Sequence, residues 1–460
     1  MKKPSAAVRP GKLPAKKSVK PRIALAMAGG GPLGAIYEIG ALTALSEALD
    51  GIDLNALDLY IGVSAGGILG AGLANGITPR EMCGMFIESD DAAAPHQGPF
   101  ATFDPAALMR PAFGEYWSSG KRLPPLLAKS IWQFVVEKRG SEFLRSFQRL
   151  SRAIPAGLFS NQKLIDFLEQ IFQQPGRSND FRQLRARLLL IATDLDSGRS
   201  VQFGSPGYEH VPISLAAGAS SALPGIFPPV AIEGRHYVDG ALKRTLHTSV
   251  ALRAGADLVL CLNPIVPYDD SVQSDETGLG ASRRYGGGSR VGTRSANGGP
   301  NGAAGARLAE GGLPVVLAQT IRAVIHSRME IGMRQYADDF PNADVLLFEP
   351  HKRDAAMFFT NMFSYSGRRK LCEHAYQTTR AELLERRHEL APVLARHGIT
   401  LNLGVLRDPA LTLVKSETKA PPRRALLPVA AVAGRLAGSL DDLERFVRHT
   451  RARGGSAILP

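Results

Sequence analysis

Two apolar segments near the start of the chain each end in a glycine-rich turn and continue into a helical pattern. The first reads RIALAM and then AGGGPLG; the second reads LDLYIG and then VSAGGILGAG. Strands that alternate with helices in this way are typical of α/β folds with a parallel sheet covered on both faces. Later runs, ARLLLIATDL and ADLVLCL, are rich in Leu, Ile and Val, as doubly covered strands require. The sequence therefore predicts an α/β fold with a mainly parallel sheet.

The second turn contains a serine in the pattern G-x-S-x-G. Gly62-Val63-Ser64-Ala65-Gly66 lies between a predicted strand and a predicted helix. This is the context of a nucleophile elbow, where a sharp turn exposes the serine Oγ and small residues on both sides relieve crowding. We therefore predict that Ser64 is a nucleophile, supported by Gly62 and Gly66.

The first turn, from Gly29 to Gly34, fits two kinds of anion site. Its G-x-G-x-x-G pattern after a strand is also the pattern of dinucleotide sites. Such a site requires an acidic residue at the end of the second strand, but here that strand runs directly into the serine turn. We therefore expect the N–H groups of Gly29, Gly30 and Gly31, together with that of Ala65, to form an oxyanion hole. No cofactor is expected.

The base that activates the serine has more than one candidate. Asp239 follows the short run HYV and precedes Gly240, which places this carboxylate at a turn. Triads of α/β-hydrolases have the chain order serine, acid, histidine, so His247 offers a rival mechanism, and His236 lies three residues before Asp239. For Asp194 and Asp196, in TDLDSG, we expect a structural role in a turn.

With its GGG-x-x-G turn, G-x-S-x-G turn and later Asp-Gly-Ala, in this order, the sequence resembles the patatin-like phospholipase family. The stretches IATDLDSGRSVQF and AAGASSALPGIFPPVAIEGRHYVDGAL are similar to segments of that family as well. The resemblance implies a three-layer α/β/α hydrolase and a Ser-Asp dyad, with Ser64 as nucleophile, Asp239 as general base and Gly240 as a supporting residue. One position departs from the family pattern: Leu33 stands where a Lys or Arg usually precedes the last glycine.

The function implied by the resemblance is that of a serine lipid acyl hydrolase of the phospholipase A or lysophospholipase type. It would cleave the fatty-acyl ester of a phospholipid or similar lipid through an acyl-enzyme. Two alternatives stay open: a general carboxylesterase or acyltransferase acting on soluble esters, and a lipid-binding scaffold with weak activity. The choice between sn-1 and sn-2 esters, the head group, the oligomeric state and any activating partner stay open too.

The formal net charge of +13 favours an anionic partner, but part of it lies in residues 1–22, a Lys- and Arg-rich segment without an acidic residue. We expect a disordered basic tail there, no apolar signal core and no run long enough to span a bilayer. Contact with an anionic membrane is then peripheral, and no nucleic-acid partner is expected. Three widely spaced cysteines, Cys83, Cys261 and Cys372, indicate a reducing, cytoplasmic setting, and no residue cluster has metal-ligand spacing.

The remaining organisation follows from composition. A segment at about 90–158 reads as a helical cap, either packed on the core or meeting anionic lipid with its basic surface. The Gly-, Ser- and Arg-rich stretch is poor in large apolar groups and predicts a flexible insert. The predicted segments are a hydrolase core at 23–265 that includes the cap, the insert at 266–312, a helical extension with one strand at 313–400, and a partly disordered tail at 401–460.

Overall fold

The computed structural model describes residues 21–88, 160–269, 312–359 and 365–414. The predicted cap, almost all of the basic tail, most of the predicted insert and the chain beyond residue 414 lie outside these ranges. All statements below concern the described residues.

Ten strands form two sheets. In chain order they are β1 (Ile23–Met27), β2 (Leu49–Asp50), β3 (Leu59–Val63), β4 (Arg187–Asp194), β5 (Ser200–Phe203), β6 (Val230–Ile232), β7 (Arg235–Asp239), β8 (Leu258–Leu262), β9 (Asp344–Phe348) and β10 (Thr400–Leu401). Hydrogen-bonded neighbours of the large sheet follow the order β6-β7-β4-β3-β1-β8-β9, and β5 also pairs with β4. The two short strands β2 and β10 pair separately.

Eleven α-helices occur in the described ranges. They are α1 (Gly31–Ala48), α2 (Ser64–Ala74), α3 (Pro79–Phe86), α4 (Gln162–Phe172), α5 (Ile213–Ser220), α6 (Thr248–Arg253), α7 (Gly312–Asp339), α8 (Ala355–Phe359), α9 (Tyr365–Glu385), α10 (Arg387–Arg396) and α11 (Leu403–Arg407). They cover both faces of the large sheet, so the fold has three layers.

Alternate residues of the central strands supply the two halves of the core. Leu25 and Met27 of β1 belong to one buried cluster, with α1, α2, α5 and α9, whereas Ala24 and Ala26 belong to the other, with α6 and α7. The strands β4, β3, β1, β8 and β9 run parallel. Burial on both faces explains why these strands read as continuous apolar runs.

The strand that we predicted within a separate helical extension lies in the main sheet. β9 pairs in parallel with β8, with Leu258 opposite Asp344 and Leu262 opposite Phe348. The hydrolase core therefore does not end at residue 265. Two strands far apart in sequence meet here because β8 would otherwise leave its backbone groups unpaired at a buried edge.

The later helix α9 also belongs to the core, because it packs along α1. A Cβ atom at Gly40 of α1 would lie 2.5 Å from the carbonyl oxygen of Cys372 and 2.9 Å from the Cβ of Ala375. The glycine thus permits a close approach of the two helix backbones. Twelve of the 18 residues of α1 are buried, including every residue from 36 to 45.

We predict that Gly40→Ala lowers the free energy of unfolding by about 1–3 kcal/mol, because the new methyl group meets backbone atoms that cannot move aside. The matched control is Gly84→Ala on α3, where no atom lies within 4 Å of the added methyl group. Alanine is the better helix former there, so this variant is neutral or more stable by up to about 1 kcal/mol. Urea unfolding followed by circular dichroism measures both, and equal shifts would contradict the close packing of α1 on α9.

Candidate active site

Ser64 occupies a strained turn at the carboxyl end of β3. Its φ is +52°, a left-handed conformation that non-glycine residues seldom adopt. The strand ends at Val63 and α2 begins at Ser64 itself, so the chain reverses without an intervening loop. This geometry is that of a nucleophile elbow, and the surrounding structure must hold the strain in place.

The glycines of the serine turn make this sharp reversal possible. A Cβ atom at Gly62 would lie 2.5 Å from the carbonyl oxygen of Gly66. A Cβ atom at Gly66 would lie 2.6 Å from the carbonyl oxygen of Ala28 and 2.7 Å from the Cβ of Met27. Any larger side chain would push α2 away from the end of β1, so the two glycines set the position of Ser64.

Strand register brings Asp239 to the serine. β5 pairs with both Ile191 and Ala192 of β4, and so fills one edge of that strand at both residues. On the other edge, Ile191 pairs with Val63 of β3, and the next residue, Ala192, pairs with Asp239 of β7. β3 and β7 therefore pair with successive parts of the same edge of β4. Val63, the last residue of β3, and Asp239, the last residue of β7, lie opposite adjacent residues of β4, at the point where the serine turn begins.

The Ser64 side chain lies beside the Asp239 carboxylate and, as a hydrogen-bond donor, lowers the pKa of this group. Its Oδ1 also accepts the backbone N–H of Ala241 at 2.8 Å. The residue is 2% exposed, and burial raises its pKa from 3.8 to about 6 although both hydrogen bonds lower it. Such a carboxylate is ionised at neutral pH and is a stronger proton acceptor than an exposed aspartate.

Gly240 follows this carboxylate and lies against the end of β4. A Cβ atom there would collide with the carbonyl oxygen of Ile191 and lie 3.2 Å from a Val63 side-chain carbon. The absence of a side chain keeps the turn after Asp239 close to the serine turn. The structure thus gives Gly240 a packing reason for its place beside the acid.

The glycine turn after β1 lies directly beside the serine. A Cβ atom at Gly29 would lie 3.0 Å from the Cβ of Ser64. Gly30 is the N-cap of α1, and Gly31 has a φ of +59° with no atom within 4 Å of its Cβ position. Within the described part of the chain, no acceptor takes the N–H groups of these three glycines. They are donors without an internal partner.

Two helix N-termini therefore point toward one place. α1 begins at the glycine turn, and α2 begins at Ser64, so that Ala65 presents its N–H at the first turn of α2. Helix N-termini carry a partial positive charge and favour an anion. Gly34 fixes the turn: its N–H donates to the carbonyl oxygen of Gly30 at 3.0 Å, and its missing side chain leaves space for Pro264. The arrangement is suited to a transient oxyanion.

Neither histidine takes the place of the aspartate in the described contacts. His247 is buried, its Nε2 lies 3.1 Å from the carbonyl oxygen of Arg244, and burial lowers its pKa to about 4. The Nδ1 of His236 lies 3.7 Å from a carboxylate oxygen of Asp196. Their hydrogen bonds and ion pairs within the described ranges lead to these groups and not to Ser64 or Asp239.

Asp194 organises the turn between β4 and β5. One carboxylate oxygen accepts the N–H groups of Asp196 and Ser197, and the other accepts the Ser197 hydroxyl and the Arg235 guanidinium, each at 2.8 Å. The hydrogen bond from Ser197 is the largest influence, and it lowers the pKa of this carboxyl group. These contacts account for Asp194 as a turn residue.

Ser220, which sequence analysis did not single out, links the serine turn to β4 by two hydrogen bonds. Its Oγ accepts the backbone N–H of Ser64 at 2.9 Å and donates to the carbonyl oxygen of Ile191 at 2.6 Å. The side chain is completely buried at the end of α5. It lies in the run AAGASSALPG, where nothing distinguishes it from its neighbour Ser221. Only the three-dimensional contact identifies it.

No metal or membrane-spanning element is found in the described ranges. These residues contain no group of three or more His, Cys, Asp and Glu side chains arranged to hold an ion. None of the helices placed there is long and apolar enough to cross a bilayer. The three cysteines are buried and unpaired.

The family model described as patatin-like phospholipase matches residues 25–252. The matched segment includes both glycine-rich turns, Ser64, Ser220 and Asp239. The family resemblance predicted from the sequence is confirmed, as is the α/β/α fold, and the matched domain is that of a lipid ester hydrolase.

Solved structures give only distant similarities. VipD from Legionella pneumophila has 15% identity over 55% of this chain and 52% of its own, with a TM-score of 0.27. ExoU from the type III secretion system of Pseudomonas aeruginosa, in complex with SpcU, has 19% identity over 44% of this chain and 38% of its own, with a TM-score of 0.23. This chain matches about half or less of the length of each.

We predict that Ser220→Ala lowers kcat by at least about tenfold and changes KM less than twofold. Its loss would leave the Ser64 N–H and the Ile191 carbonyl group without this buried partner, and small displacements of a reacting group are costly. Steady-state kinetics on a fatty-acyl ester and the rate of labelling by a fluorophosphonate measure the effect.

The control for this prediction is Ser221→Ala. The Ser221 hydroxyl is buried and has no hydrogen-bond partner among the residues that the structure describes, so its removal leaves the serine turn intact. Equal kinetic effects of the two variants, or an effect confined to KM, would contradict a positioning role for Ser220.

Proposed function

This chain carries a patatin-like phospholipase domain, and from that premise we propose that it is a serine lipid acyl hydrolase of the phospholipase A or lysophospholipase type. In this proposal Ser64 is the nucleophile and Asp239 is the general base. The N–H groups of Gly29, Gly30, Gly31 and Ala65 form the oxyanion hole. The substrate is a phospholipid or another fatty-acyl ester.

One observation carries the proposal: a serine on a strained turn lies beside a buried carboxylate whose pKa is raised. A serine hydroxyl is a poor nucleophile unless a base removes its proton. A base is most effective when its pKa lies near the working pH, and burial moves Asp239 in that direction. The contact and the environment together support a dyad without a histidine.

The first half of the reaction forms the acyl-enzyme. Asp239 takes the proton from the Ser64 hydroxyl as Oγ attacks the ester carbonyl carbon. The carbonyl oxygen becomes an oxyanion, which the two helix N-termini and their N–H groups stabilise; each such donor typically contributes about 3 kcal/mol. The C–O bond to the alcohol then breaks, and Asp239 returns the proton to the departing alkoxide.

The second half releases the fatty acid. Asp239 takes a proton from a water molecule as the water oxygen attacks the acyl carbon bound to Ser64. The same N–H groups hold the second oxyanion. When the bond to Oγ breaks, the proton passes to the serine, and the free enzyme is restored. The carboxylate thus alternates between base and acid.

Exposed apolar side chains beside the aspartate favour a lipid over a soluble ester. Leu223, Ile226 and Leu242, which we call the apolar rim, are 36%, 37% and 50% exposed. The first two follow Ala222, whose carbonyl oxygen accepts the Asp239 N–H at 3.0 Å. The third closes the turn after the aspartate. The rim gives an acyl chain an apolar surface next to the reacting atoms.

The two alternative functions make different demands on the same site. A general carboxylesterase or acyltransferase would use the serine and the aspartate on soluble esters, and so would not require the rim. A lipid-binding scaffold with weak activity would not require a strained serine beside a buried base. The geometry around Ser64 and the exposed rim therefore favour the hydrolase of lipid esters.

We predict that Ser64→Ala and Asp239→Asn each lower kcat by at least about a thousandfold. Release of fatty acid from phosphatidylcholine and lysophosphatidylcholine, with analysis of the products, measures the loss and shows which ester is cut.

We also predict that kcat/KM of the native enzyme rises with pH through about 6 and then levels off, because Asp239 accepts a proton only when ionised.

Asp239→Asn carries its own control for folding. The folded pKa of Asp239 is above its ordinary value of 3.8, so the ionised form destabilises the fold as pH rises from about 4 to 6 and beyond. The amide removes this cost and raises the free energy of unfolding at pH 8 by up to roughly 3 kcal/mol. A folded Asp239→Asn enzyme with native activity would contradict the dyad.

We also propose that the enzyme is cytoplasmic and approaches anionic membranes peripherally, with the turn after Asp239 toward the lipid. Lys243 and Arg244 are exposed next to Leu242, so cations flank an apolar tip. We predict sedimentation with phosphatidylglycerol vesicles at low salt that weakens as salt rises, and that weakens in the double variant Lys243→Gln, Arg244→Gln. Failure to bind at low salt would contradict peripheral attachment.

A further inference from the structure

A narrow, solvent-open cleft lies at the carboxyl ends of β8 and β9. Its walls are formed by the segments that follow these two strands and by one face of α7. Three basic side chains line it, Arg322, His351 and Lys352, together with the rings of Tyr268 and Phe358. None of these residues has a place in the reaction described above.

The cleft lies on the same edge of the sheet as the candidate active site. The strands β3, β1, β8 and β9 are neighbours in that order, and adjacent strands are about 4.8 Å apart. Pro264, which lines the cleft, also fills the space where Gly30 and Gly34 would carry side chains. The cleft thus begins behind the glycine turn, on the side of the serine that is remote from Asp239.

Arg322 is the best placed of the three cations. Its guanidinium stacks on the Phe358 ring at 5.1 Å and makes one long hydrogen bond, 3.4 Å, to the carbonyl oxygen of Val266. No ion pair joins it to a carboxylate within the described ranges, and burial lowers its pKa. A partly buried guanidinium with donors to spare is suited to an external anion.

Two carboxylates at or near the cleft are paired with cations other than Arg322. Asp354, which also lines the cleft, contacts the His374 Nε2 at 2.7 Å. Glu330 contacts the Lys352 Nζ at 3.2 Å. Neither of these two carboxylates contacts Arg322 in the described ranges, and the cleft presents this guanidinium beside aromatic rings.

We propose that this cleft binds the phosphate-bearing head group of the glycerophospholipid whose ester reacts at Ser64, with Arg322 as the principal contact. The inference rests on the proposed function and adds the place where the head group of the phospholipid binds. In a glycerophospholipid only a few bonds separate each ester from the phosphate, so a phosphate subsite must lie close to the serine and not within the oxyanion hole.

This placement also gives the substrate a direction across the sheet edge. The apolar rim lies on the β7 side of Ser64, and the cationic cleft lies on the β8 and β9 side. An acyl chain directed over Leu223 and Leu242 leaves the head group toward Arg322.

The test compares two soluble short-chain substrates, dihexanoyl phosphatidylglycerol and the uncharged dihexanoylglycerol. We expect Arg322→Gln to lower kcat/KM for the phospholipid at least tenfold more than for the neutral lipid, as the loss of a charge-assisted contact implies. Arg322→Lys keeps the charge and retains most of the preference. Arg328→Gln, an exposed position on the same helix, is the control and changes neither value.

Inorganic phosphate and glycerol phosphate separate the two sources of the anion. Competitive inhibition of phospholipid hydrolysis in the native enzyme, weakened in Arg322→Gln, supports the head-group subsite. Binding of free phosphate, with no effect of Arg322→Gln on the ratio of kcat/KM for the two lipids, overturns the proposal. An equal loss of kcat/KM for both lipids also overturns it, provided that the urea midpoint of unfolding of the variant equals that of the native enzyme. Failure of the native enzyme to hydrolyse either lipid would instead contradict the proposed function.

Discussion

The active-site geometry depends on the way in which two strands share one edge of β4. β3 pairs with this edge up to Ile191, and β7 takes over at Ala192. The serine turn and the aspartate are thereby placed next to each other by backbone hydrogen bonds of the central sheet. Because one residue of slippage would turn every side chain of β7 to the other face, the buried pattern of that strand also protects the contact.

The rest of the site consists of local features that are unfavourable by themselves and that this arrangement stabilises. Ser64 holds a left-handed backbone, and Asp239 is buried although burial opposes its charge. Each of these features costs free energy and persists only in a rigid setting. The setting is supplied by Gly62 packed against the start of α2, by Gly66 packed against the end of β1, by Ser220 bonded to the serine turn, and by a sheet covered on both faces.

The substrate proposals give this rigid centre an apolar side and a cationic side. The apolar rim and the cationic cleft lie on opposite sides of the serine along the carboxyl edge of the sheet. A lipid ester has the same polarity, since its acyl chain and its head group leave the reacting carbon in opposite directions. In these proposals, the positions of α5, α7 and the strand ends contribute to substrate choice together with the reacting groups.

The sequence by itself determined the α/β class, both glycine-rich turns, Ser64 and the family, because these depend on short stretches with local rules: apolar runs, glycine spacing and the order of motifs. It also pointed to Asp239, but through the family pattern and not through any local signal. Only the tertiary structure decided that Asp239 meets Ser64, that Ser220 supports the turn, that β9 and α9 complete the core, and that Arg322 lines a cleft. Each of these joins residues separated by tens to hundreds of positions, and the free energy that joins them comes from strand pairing and burial, which no local pattern records.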